Sequence, residues 1–122
     1  MVRPVKQVGL EDALRLGVAL FNDGRFFEAH EAWEDAWRVE RGDTALFLQG
    51  LIQVAAGFVK WQRGEPRGMT LNLAKGAAKL ERFRPAHLGL DVADLLDAVA
   101  RFREGGAAAR GAAPPRLKGL QI

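Results

Sequence analysis

The chain has 122 residues, a length that suits one domain with its own hydrophobic core. It contains no cysteine and no serine, which excludes disulfides, thiolate metal sites and cysteine or serine nucleophiles. The net charge of +3 is unevenly spread, because residues 11–43 hold nine acidic and four basic residues and residues 60–84 hold seven basic and two acidic ones.

This charge pattern predicts oppositely charged helices that lie side by side. It does not favour a nucleic-acid surface, because no basic face with interleaved aromatic residues is present. Residues 1–4 open no long apolar run, and the most apolar stretch, residues 51–59, is too short to span a bilayer. We therefore expect a cytoplasmic protein without a membrane-spanning segment.

Two helices are predicted first, over residues 10–22 and 25–41, each followed or ended by glycine. Their packing residues match one tetratricopeptide hairpin: Gly17, Leu20, Gly24, Phe26, Ala29, Trp33 and Ala36. The pattern fails when it is tested 34 residues further on, and a solenoid needs about three copies. The match therefore predicts one closely packed hairpin and not a repeat protein.

Three further helices follow along the chain. The third covers residues 43–63, and because it is apolar on most sides we expect it at the centre of the fold. Gly50 and Gly57 lie on one side of it, where another helix can approach closely. The fourth and fifth helices are predicted over residues 66–84 and 91–104.

The expected architecture is all-α. Residues 1–104 are predicted to form a single compact bundle of about five helices with mostly antiparallel neighbours, because short loops join the second, third and fourth helices. Asp91, with Asp94 three residues later, predicts the capped start of the fifth helix. Residues 105–122 are rich in glycine, alanine and proline and are predicted to be a loosely ordered tail. Its apolar residues could instead lie in a surface groove: Leu117, Leu120 and Ile122.

Polar residues interrupt the apolar stripes of three of these helices. His30 and Glu34 are one turn apart on the second helix, within side-chain reach of each other. Gln49 and Gln53 have the same spacing on the third helix, and Asn72 lies near the inner face of the fourth. Since a polar group in a core needs a partner, we expect these side chains to converge on one interior point.

Three interpretations of this cluster stay open. It is a structural network that fixes helix register, a small-ligand or active-site pocket, or a metal site. In the pocket, Glu31, Trp33 and Trp37 line the rim, and Glu34 orients His30, which acts as acid, base or anion donor. The metal site is disfavoured because the chain lacks the second histidine of a zincin helix and the Glu-x-x-His motifs of a di-iron bundle. We assign no metal ligand, and no particular cofactor is indicated.

Two stretches resemble the signature of family 309 among the domains of unknown function. The first is FNDGRFFEAHE at residues 21–31, and the second is FLQGLIQVAA at residues 47–56, followed by RGEPRG at 63–68. The resemblance implies a helical bundle centred on these residues and no established reaction. Many members have a histidine near position 60, where this chain has Lys60, a difference that weakens a metal site further.

Two classes of function stay open at this point. The first is a ligand-binding or catalytic domain that uses His30 and Glu34. The second is an interaction module built on the tetratricopeptide-like hairpin, with a homodimer or another protein as its partner. The other histidine, His87, follows Pro85 in a predicted loop and is expected in solvent.

Overall fold

The structure, a computed structural model, describes residues 9–120. These residues form five α-helices: α1 Leu10–Asn22, α2 Phe26–Trp37, α3 Gly42–Gln62, α4 Pro66–Leu80 and α5 Val92–Gly105. Short 3-10 helices follow α4 (Glu81–Phe83) and α5 (Gly106–Gly111), and the strands β1 (Ala86–His87) and β2 (Leu90–Asp91) pair antiparallel between α4 and α5. Each of α1–α4 packs on the next helix along the chain, and α5 packs on α4. The predicted all-α bundle is confirmed.

Small residues set the spacing between the helices, as predicted. A Cβ atom added at Gly17 would lie 2.0 Å from Nε1 of Trp33, so glycine admits the indole of α2 against α1. Cβ atoms at Gly50 and Gly57 would lie within 2.8 Å of Leu80 and Leu73 of α4. The hairpin match and the glycine pair therefore both identified helix contacts correctly.

An aromatic cluster fills the core around α3. Phe58 contacts Phe21, Phe26, Trp61 and Phe102, with ring centroids 5.0–6.1 Å apart. These pairs come from α1, α2, α3 and α5, so the cluster joins both ends of the chain. Edge-to-face geometry predominates, which is the favoured arrangement for buried aromatic rings.

Two helices end earlier than predicted. α2 ends at Trp37 rather than Arg41, and Val39 beyond it is 63% exposed, so these residues bury no apolar face that would extend the helix. α4 ends at Leu80 because Pro85 follows soon after. A proline forces the preceding residue out of the helical region, and Arg84 is extended, with φ −62° and ψ 150°. The predicted cap of α5 is confirmed, since the amide of Asp94 donates to the Asp91 carboxylate at 2.9 Å.

The β1–β2 hairpin was not predicted. Its two-residue strands are too short to show alternation, and its turn uses positive φ at Leu88 (49°) and Gly89 (84°). Leucine rarely adopts that conformation, so the sequence carries no usual turn signal. The expectation for His87 was wrong: its ring is half-buried and lies 4.7 Å from Phe47 and 4.5 Å from Phe83 between centroids.

The segment from residue 105 to residue 120 packs on the bundle, so the expectation of a loose tail was wrong for this part. Asn22 at the end of α1 binds both backbone groups of Leu117, accepting from its amide at 2.7 Å and donating to its carbonyl at 3.0 Å. Leu117 is buried, and Trp61 donates to the carbonyl of Ala109 at 2.8 Å. Ile122, the third apolar residue of the predicted groove, lies outside the described residues.

α3 is the central helix, as predicted. Its 21 residues have a mean hydropathy of 1.3 over the most apolar window, so by length and composition alone it could cross a membrane. Half of that window is buried inside the bundle, and a core helix of a globular domain meets the same criterion. The structure thus accounts for the apolar character of α3 by packing between α2 and α4.

Candidate functional site

The candidate site lies on the side of α2, α3 and α4 that faces away from the aromatic cluster. We call it the outer face and define it by half-buried polar side chains: His30 and Glu34 of α2, Gln49, Gln53 and Lys60 of α3, and Asn72 and Lys79 of α4. Among residues 9–120 no polar or charged residue is buried. The predicted interior meeting point is therefore wrong, and the physical reason is the cost of removing such groups from water.

The α2 part of the outer face is a close His-Glu pair. Nε2 of His30 lies 3.7 Å from a carboxylate oxygen of Glu34, with 23% and 32% of the two side chains exposed. That separation is an ion-pair contact for a protonated ring and is longer than a hydrogen bond. The imidazole is nearly parallel to the exposed ring of Phe27, 5.9 Å away, and its Nδ1 atom is buried without a hydrogen-bond partner in the described part of the chain.

The α3–α4 part is tied together by direct contacts. Lys79 donates to the side-chain carbonyl of Gln53 at 2.9 Å. Lys60 lies at one end of the face. A Cβ atom added at Gly68 of α4 would lie 3.0 Å from the Lys60 side chain, and the Lys60 ammonium lies 3.2 Å from the Glu65 carboxylate. Asn72 donates to the carbonyl of Gly68 at 2.8 Å. The edge of α4 thus follows the edge of α3 over several turns.

The register of α2 against α3 aligns the two parts. Phe26 contacts Phe58 at 5.4 Å, and the helices run in opposite directions because only a short loop joins them. His30 lies one turn after Phe26 and is therefore level with about Val54, next to Gln53, while Glu34 is level with Gln49 one turn further. No hydrogen bond among residues 9–120 joins His30 or Glu34 to either glutamine, so the two parts share a level without direct contact.

The remaining predicted pocket residues lie in different places. Trp33 is fully buried in the core, with its indole N–H against α1 and without a hydrogen-bond partner in the described residues. Glu31 is exposed, and it follows His30 by about 100° around α2. Trp37 is 37% exposed, one turn beyond Glu34 on the same side of α2. Helical spacing could not separate these three, because it fixes a residue's angle on its helix but not which neighbour covers that angle.

Three residues of the site were missed from the sequence. Phe27, 53% exposed, covers the imidazole, and Lys79 and Lys60 bring positive charge to the α4 side. Phe27 follows Phe26, the first residue of the buried stripe of α2, and gave no separate signal. Lys79 was counted only within the basic stretch 60–84, although it follows Asn72 and Lys75 at helical spacing, and Lys60 was noted only as the position where many family members have histidine.

The side chains of the outer face are partly exposed, and none of them lines the cavities found on the described residues. One of these cavities, of about 550 Å³, lies between α5 and the C-terminal segment. A second lies beside Asn22 and Leu117, with a volume of about 520 Å³. No group of three or more histidine, cysteine or carboxylate side chains close enough to hold a metal ion occurs between residues 9 and 120.

Comparison with known families finds a match for the part of the chain that carries the outer face. The family model described as Domain of unknown function (DUF309) matches residues 14–72. Within residues 14–72 this chain is similar to the DUF309 family. The resemblance seen in the sequence is confirmed. The match covers most of α1, all of α2 and α3 and the first half of α4, and so all residues of the outer face except Lys79.

The similarity to DUF309 supplies no reaction. The comparison with curated proteins gives no match. The matched segment contains the His30–Glu34 pair and both glutamines, so most of the outer face lies within it.

Proposed function

We propose that the domain binds a small polar ligand on the outer face, with His30, Glu34, Gln49 and Gln53 as the recognising groups. The observation that carries the proposal is the collection of half-buried polar side chains from three helices on one face, in a bundle whose described interior is otherwise entirely apolar.

The charges of the outer face favour a ligand that carries both signs or that is anionic. Glu34 lies on the α2 side, and Lys79 and Lys60 lie on the α4 side, with the uncharged amides of Gln49 and Gln53 between them. The amides can donate and accept hydrogen bonds. An anionic group placed between Lys79 and His30 would gain charge-assisted hydrogen bonds, which are about twice as strong as neutral ones.

His30 has the most room to respond to a ligand. Its Nε2 atom is near Glu34 at 3.7 Å, so a small movement of either side chain makes a hydrogen bond, and Nδ1 has no partner to lose. An imidazole ring can donate or accept hydrogen bonds, so His30 can contact either kind of ligand group. Acid–base catalysis by His30 and Glu34 stays a prediction that depends on a bound substrate.

Nuclear magnetic resonance tests the proposal with defined probes. The protein is titrated with inorganic phosphate, acetate and glycine, and then with a fragment library, while the side-chain amide signals of Gln49, Gln53 and Asn72 are followed. We expect at least one probe class to shift these signals together with the His30 ring. The amide signals of Asn22 and Gln62 serve as internal references, because Asn22 holds Leu117 and Gln62 donates to the carbonyl of Gly24.

A matched pair of variants distinguishes specific binding from general charge. Lys79→Met should abolish the shifts, because it removes the cation bonded to Gln53. Lys118→Met removes a lysine paired with Asp94 on another part of the surface and should leave them unchanged. If no probe moves the outer-face signals, or if both variants weaken binding equally, the proposal is wrong.

A second candidate function is protein binding through the side of α2. The observation that favours it is the exposure of two aromatic rings on one helix, Phe27 at 53% and Trp37 at 37%. Exposed aromatic residues are typical of protein contacts. This function predicts that Phe27→Ser removes the interaction while ligand binding beside Lys79 persists.

A further inference from the structure

One side of α2 carries four residues in a symmetrical order. We call Phe27, His30, Glu34 and Trp37 the α2 stripe; the residues are spaced by three, four and three positions, the spacing of a helix–helix seam. From either end the order is aromatic, ionisable, ionisable, aromatic. The centre of the stripe falls at position 32, halfway between His30 and Glu34 and halfway between Phe27 and Trp37.

We propose that the α2 stripe is the contact of a homodimer, in which α2 of two copies pack antiparallel about a two-fold axis. In a symmetric dimer each residue faces its mirror position in the other copy. An axis at position 32 sets His30 opposite the partner's Glu34 and Phe27 opposite the partner's Trp37. The arrangement therefore pairs an imidazole with a carboxylate and an aromatic ring with an aromatic ring, twice each.

The charges select this orientation over the alternatives. In a parallel pair with the same register, Glu34 would face the partner's Glu34, and like charges in contact are unfavourable. In the antiparallel pair each His30 faces the partner's Glu34, so a basic group meets an acidic one. A contact with an unrelated apolar partner would leave His30 and Glu34 against a surface that offers them nothing.

The exposure of the stripe supports the same conclusion. Phe27 and Trp37 are among the six large hydrophobic side chains exposed in the described residues, and both lie on α2 at opposite ends of the His-Glu pair. Each ring would be covered by the other in the dimer. Tryptophan and phenylalanine are enriched in the centres of such interfaces.

The dimer adds a partner to the outer face, but it does not depend on a ligand bound there. The partner's α2 would lie along the α2 edge of the outer face and close that edge, leaving the Lys79 side open. The partner's Glu34 would also stand beside His30. The open face described above would thus become a cleft between two copies.

Because one pair of twelve-residue helices buries less than a standard interface, the association is expected to be weak. Sedimentation and light scattering across concentrations up to about 1 mM measure it. We expect a reversible monomer–dimer equilibrium, weakened about tenfold or more by Phe27→Ser. Leu71→Ser removes a comparably exposed hydrophobic residue from α4 and should leave the equilibrium unchanged. A chain that remains monomeric at the highest concentration overturns the proposal.

Cross-linking reads the orientation directly, because the chain has no native cysteine. Phe27→Cys and Trp37→Cys are prepared separately, mixed and oxidised. The mixture should form a disulfide-linked dimer, while each variant alone should not, since positions 27 and 37 are about 15 Å apart along a helix. Efficient cross-linking of either variant with itself, or a dimer that does not cross-link in the mixture, overturns the antiparallel pairing. These outcomes do not involve a ligand, so they are independent of the binding test.

Discussion

The two sides of α3 differ in how they are built. Its contact with α4 is apolar and close: Gly50 and Gly57 sit against Leu80 and Leu73, and Gly76 of α4 sits against the carbonyl of Gly50. Its outer face carries half-buried glutamines that meet Lys79 or no hydrogen-bond partner among the described residues. The first side holds the two helices at close distance, and the second keeps polar side chains at the surface, where we propose that a ligand binds.

The strongest test of this contrast is a side chain added to the close contact. In Gly76→Val the new Cβ would lie 2.8 Å from the carbonyl oxygen of Gly50, a backbone atom that cannot move aside. We expect the free energy of unfolding to fall by about 3 kcal/mol or more. Chemical denaturation measures the change. Gly111→Ala is the control, because its Cβ meets nothing within 4 Å, and a tolerated Gly76→Val would show that the helices can separate at little cost.

Two leucines of α4, two positions apart, give the next largest contrast. Leu73 is fully buried and Leu71 is 57% exposed. We expect Leu73→Ala to lower the free energy of unfolding by about 2–5 kcal/mol through lost burial and a cavity. Leu71→Ala should change it by less than about 0.5 kcal/mol. Equal losses from the two variants in denaturant titrations would contradict the orientation of α4.

A smaller effect is expected at the hydrogen bond between Lys79 of α4 and Gln53 of α3. A double-mutant cycle with Gln53→Ala and Lys79→Met should give a coupling energy of about 0.5–1 kcal/mol, because the 2.9 Å hydrogen bond is only half-buried. The same cycle with Lys75→Met in place of Lys79→Met serves as the control, since Lys75 is exposed one turn away. Coupling to both lysines alike would indicate a general charge effect.

The smallest effect is predicted at the centre of the candidate site. His30→Ala should lower the free energy of unfolding by less than about 1 kcal/mol, since the imidazole is partly exposed and makes no hydrogen bond to the described residues. Thermal and chemical denaturation check the value. A loss of about 3 kcal/mol would show instead that His30 belongs to a structural network, and the contrast between the two sides of α3 would fail.

The fold was predictable because it rests on local rules. Apolar residues at helical spacing, glycine at close contacts and Asp91 before α5 each act within a few positions of the chain, and the structure confirms them. The β1–β2 hairpin was not predictable, because its turn has a positive φ at Leu88, a conformation that leucine rarely adopts. The loose tail expected after residue 104 was wrong, while the alternative of a groove for Leu117 and Leu120 agrees with the burial of Leu117. The contact that orders the segment could not be predicted, since it depends on Asn22, more than ninety positions away.

The candidate site was predicted only in part. The spacing of His30 with Glu34 and of Gln49 with Gln53 identified polar groups that do share the outer face and lie at matching levels. Their depth was overestimated, because sequence spacing does not show that α3 is left uncovered on one side. The contact of Gln53 with α4 was not predicted either. A long side chain such as that of Lys79 can reach several partners, and its position along α4 does not show which one it bonds to.

The two hydrogen bonds between the Asn22 side chain and the backbone of Leu117 have a practical consequence for anyone who shortens the protein. Composition alone suggests cutting after residue 104, but that cut would uncover the surface that Leu117 seals. It would also strand the amide of Asn22 and the indole N–H of Trp61 without their acceptors. If a chain shortened in this way aggregates, the exposed apolar surface of α1 and α3 explains it. A chain that keeps the segment to residue 120 is therefore the safer starting material for crystallisation or for tags.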